Sequence, residues 1–375
     1  MENTDFRQAA ALLQSAGEKT VTVGFDGYVD SIIKVKYQNC DGEAEYFDTM
    51  KQFGDYIVQK AQRSCSLELK VVREKIGGNM PIYAKALGRL GMRLNCIGAM
   101  GWPEALPLFR EGMGEKCRLL SVSQPGSCQA LEFKDGKVML ARNEEIEQLD
   151  YSVLLQRAGE ETLRQSLTEA DAVTFLNWSE LKGATSIWRG IAAEILPGLP
   201  KREKRPMFID LSDCSSHKEK SVSEMAELLT KFTEYFEVIV SLNRNETEQL
   251  ADKLGVGGET LSDRARNLKT RFGCEILIVH LPNGCIAFSN QEEIFLKNLL
   301  ISEPRLLTGG GDNFNAGFTF AYLNGLGMRE ALCTANAVSG YYVANGHSPT
   351  RLQLLSWIKQ HQYFEPISLT QEELL

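Results

Sequence analysis

From about residue 144 the chain alternates short apolar runs with longer amphipathic stretches, and this alternation restricts it to very few architectures. A helix at 150–167 precedes a strand at Ala172 to Leu176, and a helix at 184–196 leads to Met207 to Leu211. A helix at 222–234 leads to Phe236 to Leu242, and two helices at 244–254 and 260–271 precede Ile276 to His280. Strands that alternate with helices predict a mostly parallel sheet covered on both faces, an α/β fold. The end of the chain reads as helices at 312–325, 328–344 and 350–361.

The first part is less regular. A short helix at 6–15 precedes the buried-strand run Val21 to Phe25, which ends in Asp26-Gly27-Tyr28-Val29-Asp30. Ligands of α/β sheets sit at the carboxyl ends of strands, so Asp26 and Asp30 are candidate contacts. Asp26 also reads as a turn residue before glycine. Ile32 to Tyr37, Ala44 to Phe47, Leu67 to Val72 and two runs between Leu119 and Leu140 read as strands. Lys134-Asp135-Gly136-Lys137 is a hairpin signal, and residues 48–66 look like a helical insertion.

Two glycine-rich stretches carry chemistry. Gly309-Gly310-Gly311 runs directly into Asp312 and an apolar helix. Glycines bring bare N–H groups close to a ligand, and a helix start favours an anion. A carboxylate beside such an anion hole suits phosphoryl transfer, where one group removes a hydroxyl proton while N–H groups hold phosphate oxygens. Asp312 as a plain N-cap is the bland alternative. Gly77-Gly78-Asn79 opens a second helix that closes on Gly91 as a C-cap, followed by the strand-like run Leu94 to Gly98. Asn243 and Glu246 have the spacing of a capping box after a strand.

These segments together resemble the ribokinase-like carbohydrate kinase (PfkB) family. Its signatures are GG-x-x-x-N-x-A followed by R-L-G, then N-x-x-E, then D-T-x-G-A-G-D-x-F-x-A-G-F. Gly77 to Gly91, Asn243 to Glu246 and Leu307 to Phe318 match them in order and spacing. The resemblance implies a three-layer α/β/α kinase domain over 1–364, with a small β-sheet lid from segments 31–75 and 117–141, and a tail at 365–375. It implies Asp312 as the catalytic base, with the N–H groups of Gly309, Gly310 and Gly311 holding the transferred phosphoryl group. Asp30, Asp26, Gly77, Gly78 and Asn79 would contact the acceptor. Asn243 and Glu246 would act on Mg²⁺ through water. His280, Gly284, Thr308, Asn336 and Ser339 would lie along the nucleotide. ATP and Mg²⁺ are the implied cofactors, and a monovalent cation is a further candidate. Two departures stand out: Ile82 replaces the family's Asn, and Leu306-Leu307 replace its Asp-Thr.

Composition narrows the class. Net charge is −8 with no basic face implied, which argues against a nucleic-acid partner. No apolar run reaches the ~18 residues of a membrane span, and the stretch Met1 to Asp5 has no signal-peptide pattern. The nine cysteines are scattered without C-x-x-C, which fits reduced thiols in a cytoplasmic enzyme. The expectation is an ATP-dependent kinase of a sugar or polyol hydroxyl, forming a homodimer through its lid. A nucleoside kinase on the same fold, with Tyr28, Tyr37 and Phe47 as a base slot, and a non-catalytic sugar-binding protein are the alternatives.

Overall fold

A computed structural model of the chain describes residues 10–38, 44–200, 203–298 and 300–361. Its strands are β1 (Thr20–Phe25), β2 (Tyr28–Gln38), β3 (Ala44–Tyr46), β4 (Glu68–Gly77), β5 (Arg93–Ala99), β6 (Cys117–Ser123), β7 (Gly126–Phe133), β8 (Gly136–Arg142), β9 (Ala172–Leu176), β10 (Arg205–Asp210), β11 (Phe236–Asn243), β12 (Ile276–Leu281), β13 (Gly284–Phe288) and β14 (Glu293–Lys297). The large sheet has nine strands in the order β14-β13-β12-β11-β10-β9-β1-β5-β6. From β12 to β6 every pairing is parallel, while β13 and β14 add an antiparallel edge.

Parallel central strands must be apolar on both faces, and β9 is buried at every residue. One face packs Phe25, Phe175, Trp188 and Phe232; the other packs Val21, Val23, Phe208 and Phe318. This is the three-layer arrangement expected, and it aligns the carboxyl ends of β1, β9, β10, β11 and β12 along one edge.

Several boundaries differ from the sequence reading. The 150–167 helix is two helices, Tyr151–Ala158 and Glu160–Glu169, broken at Gly159, whose φ is +80°. The 184–196 helix continues from Ala184–Gly190 into a wider turn at Ile191–Ile195. Residues 117–123, counted with the lid, are β6 at the edge of the large sheet; their alternation suits a half-covered edge strand as well as a lid strand. The short β13–β14 hairpin and the helix Pro107–Met113 were not anticipated. The helix expected at 6–15 is described from residue 10, and the 365–375 tail lies outside the described residues.

The lid is a second sheet in the order β3-β2-β7-β8, with β4 on the other side of β2. The insertion contributes the helix Met50–Gln59, capped by Thr49. Its Phe53 and Tyr56 pack on Ile33, Val35, Phe47 and Phe133. On a strand, residues two apart share a face. Ile33 and Val35 therefore lie on the face of β2 opposite Asp30.

Candidate active site

The helix Gly310–Leu323 begins where three glycines permit a turn that other residues would resist. Gly309 has a φ of +91°, and a Cβ there would lie 2.7 Å from the Tyr342 hydroxyl. The loop is pinned to the helix Met328–Asn345. Tyr342 Oη donates to the Thr308 carbonyl at 2.9 Å, and Ser339 Oγ donates to the Gly310 carbonyl at 2.9 Å. The two helices meet closely, since a Cβ on Gly317 would lie 2.8 Å from Ala335 Cα.

Asp312 sits in the first turn of this helix, buried, with Oδ1 unpartnered. Burial pushes its carboxyl well above the usual carboxylate range, and the nearby Asp210, Asp26 and Glu246 push it further; the Asn79 amide opposes them. A carboxyl in that condition holds a proton more tightly than an exposed carboxylate does. The Gly310 N–H is engaged in a turn with the Leu307 carbonyl at 3.0 Å. That bond takes the Gly310 N–H out of the three-glycine anion hole of the sequence reading, while the first-turn N–H groups of Gly311 and Asp312 have no intrahelical partner.

Asp312 faces a cavity of about 340 Å³. The wall includes Asp30, Gly77, Gly78, Asn79 and Thr308, so the acceptor candidates and the candidate base share one space. Asp30 projects from β2 toward Lys75 Nζ, 3.6 Å away. Ile82 and Leu306 also line it, which makes one side of the wall apolar where the family pattern is polar.

Asp26 is a correction. It is fully buried and absent from that wall. Its carboxylate accepts the backbone N–H of Asn79 and of Met80, each at 2.8 Å, and Asn177 Nδ2 at 2.9 Å. It anchors the diglycine helix to the end of β1. Burial raises its pKa to about 6 despite those donors. The reason is positional: Gly27 turns the chain so that Asp30, not Asp26, emerges on the lid side.

Sequence reasoning missed the neighbouring strand ends. Asn177 follows β9, and Asp210 closes β10. Asp210 Oδ2 accepts Asn315 Nδ2 at 2.6 Å, and Asn315 Oδ1 accepts Ser241 Oγ at 2.8 Å. Burial lifts Asp210 to about 6. Each follows an apolar run as Asp26 does, so the strand-end rule that selected Asp26 would have found them.

Asn243 and Glu246 form a full capping box. Glu246 N–H donates to Asn243 Oδ1 at 2.9 Å, Glu246 Oε2 accepts Asn243 N–H at 2.9 Å, and Oε1 accepts Asn243 Nδ2 at 2.7 Å. Burial raises Glu246 to about 8, with Asp210 adding to the rise. His280, half-buried at the end of β12, stands beside the glycines: a Cβ on Gly311 would lie 3.4 Å from His280 Cε1. Loss of solvation lowers its pKa to about 4, so it is neutral. Gly284 opens β13, and Asn336 Nδ2 faces Cys285 Sγ at 3.7 Å. Of the nucleotide candidates, Asn336 and Ser339 lie on the helix Met328–Asn345, and Gly284 opens the strand whose Cys285 touches Asn336. Tyr37 and Phe47 of the aromatic slot pack at 4.8 Å, tilted by 39°, inside the lid's own cluster, whereas Tyr28 packs against the core of the large domain.

A sequence profile of the prokaryotic ketohexokinase family matches residues 6–361. The chain belongs to that family. It is 28% identical over 381 residues to the ketohexokinase of Haloferax volcanii, covering 97% of this chain and 98% of the relative. Among solved structures, the ribokinase of Thermotoga maritima superposes with a TM-score of 0.63 at 17% identity, over 92% of this chain and 100% of that one. Arabidopsis thaliana ribokinase complexed with ribose and ATP gives 0.63 at 17%, over 92% and 99%. The adenosine kinase of Sinorhizobium meliloti gives 0.62 at 18%, over 92% and 100%. The ribokinase-like fold read from the signatures is therefore the fold observed, and the chain is a sugar kinase of the PfkB type, a phosphotransferase. The non-catalytic alternative falls with that membership.

Proposed function

We propose that this kinase transfers the γ-phosphate of ATP to a hydroxyl of a ketohexose, with Asp312 as general base. One observation carries the reading of the site: a buried carboxylate with a free oxygen stands at a helix start and faces the cavity that also holds Asp30. Asp30 and Asn79 orient the acceptor. Asp312 Oδ1 removes its proton as the new bond to phosphorus forms. The N–H groups of Gly311 and Asp312, at the positive end of the helix dipole, stabilise charge on the transferred group. The lid excludes water, the competing acceptor.

Mg²⁺ fits this site as a hydrated ion held by phosphates, not as a caged one. Among the described residues no three His, Cys, Asp or Glu side chains converge on one point. Asp210, Asp26 and Glu246 nevertheless raise Asp312, Asp26 raises Asp210 and Asp210 raises Glu246, so the region favours positive charge. Asn243 and Glu246 would meet the ion through its water shell, and bound Mg²⁺ would offset phosphate charge. The relative's activity favours a ketohexose over a nucleoside, and the engagement of Tyr37 and Phe47 with each other favours it too. Among the described residues no helix is long and apolar enough to cross a membrane. Described cysteines such as Cys65, Cys96 and Cys214 are free, which supports a cytoplasmic location. We also read the lid as a dimer contact. ADP release across ketohexoses, aldoses, polyols and nucleosides tests the reading; turnover of nucleosides but of no ketohexose would overturn it.

A further inference from the structure

Two non-glycine residues with positive φ stand at adjacent strand ends, Asn177 (φ 58°) after β9 and Ser212 (φ 60°) after β10. Asn tolerates that conformation well, and Asn177 uses it to reach Asp26. Ser has a weaker local reason, and such outliers persist where the surroundings over-determine them. Ser212 is over-determined by Asp210. Its N–H donates to Asp210 Oδ1 at 3.0 Å, and its hydroxyl donates to the same oxygen at 3.4 Å.

That second bond gives the hydroxyl a direction. A serine hydroxyl has one proton and two lone pairs. With the proton turned to Asp210, only lone pairs face Asn79. Ser212 Oγ accepts Asn79 Nδ2 at 3.1 Å. The reversed amide, with Oδ1 toward Ser212, would set one acceptor against another. The second Nδ2 proton faces the Asp312 carboxyl, so Asn79 keeps its Oδ1 for the cavity that it lines with Asp30 and Asp312. An acceptor held there matches a sugar hydroxyl, which can donate to it. Three residues along the same helix, Ile82 offers no acceptor to that wall.

We propose that Ser212, oriented by Asp210, is a positioning residue that fixes which way the Asn79 amide faces and so sets acceptor affinity. This rests on the proposed sugar site but not on which sugar enters it. The test is a double-mutant cycle with Ser212→Gly and Asn79→Ala, run with whichever sugar the parent enzyme phosphorylates best. Glycine adopts positive φ freely, so Ser212→Gly should keep the parent melting temperature. It should raise the acceptor KM about threefold to tenfold, the range of one hydrogen bond, and leave the ATP KM unchanged. In the Asn79→Ala background it should add nothing. Ser212→Ala runs the same cycle if the glycine variant does not fold. An unchanged acceptor KM, or increases that add in full, would overturn the proposal. A parent that phosphorylates only other sugars overturns the ketohexose reading instead, so the two failures are distinct.

Discussion

Asp26 holds the backbone N–H of Asn79 at 2.8 Å, and that bond joins the end of β1 to the start of the diglycine helix. Gly78 lies between them with a φ of +92°, and a Cβ there would fall 2.8 Å from Asp26 Oδ2. Gly78→Ala therefore meets backbone strain and a carboxylate at once. It should destabilise the fold by about 1–3 kcal/mol and raise the acceptor KM, because Asn79 moves with the helix. Thermal melting and steady-state kinetics on the same preparation check this; a variant of parent stability and parent KM would show that the contact yields freely.

Asp312→Asn should retain fold and ATP binding while lowering kcat by about 10²–10⁴, the usual worth of a general base. The pH profile adds a second check. Activity needs the ionised carboxylate, and burial and neighbouring carboxylates raise its pKa. The acid limb of kcat in the parent should consequently lie above the ordinary carboxylate range, with activity falling as pH drops through it. Near-parent turnover in the Asn variant would remove Asp312 from the base role.

Asp30 touches Lys75 and shares the cavity with Asp312. Asp30→Ala should raise the acceptor KM about tenfold or more, as expected for a lost charge-assisted hydrogen bond, and barely change ATP affinity. Calorimetry that found weakened ATP binding and normal sugar binding would move Asp30 to the nucleotide side.

Stability should respond to pH through Glu246. Its folded pKa is raised to about 8 from an ordinary 4.5. A raised folded pKa means stability fully present below the unfolded value and lost as pH rises through the folded one. Asp26 and Asp210, both near 6, act in the same direction at lower pH. The unliganded protein should thus lose melting temperature from pH 5 to pH 8, and Glu246→Gln should flatten that slope. A parent slope no steeper than the variant's would mean that Glu246 is ionised in the folded protein without cost.

The parallel sheet was legible because buried strands leave long apolar runs and their helices leave amphipathic ones. That Asp312 and Asp30 line one cavity was legible because glycines and strand ends mark where a ligand can approach. Asp26 was misplaced because its side-chain direction depends on how Gly27 packs against Ala99, where a Cβ would fall 2.0 Å from the carbonyl oxygen. Asp210 was within reach of the strand-end rule but was read as an interior residue of the run Met207 to Leu211, and a turn with positive φ at Ser212 has no sequence mark. The β13–β14 edge was missed because short antiparallel strands carry a weak period.

Shielding of the lid decides the oligomeric state. The helix Met50–Gln59 covers the face of β2 that bears Ile33 and Val35. It leaves Leu69, Val71 and Val72 on β4 and Met139 and Leu140 on β8 between 44% and 55% exposed. Within the lid sheet β4 pairs with β2 alone and β8 with β7 alone, so both are edges with free backbone groups. Apolar side chains gathered on two open edges favour a second copy, packed about a two-fold axis. Light scattering at micromolar concentration should then give twice the 41.8 kDa of one chain. Val71→Lys combined with Met139→Lys should return the mass to that of a monomer without lowering the melting temperature of the kinase domain. A parent already monomeric would show that the inserted helix alone suffices to shield the lid.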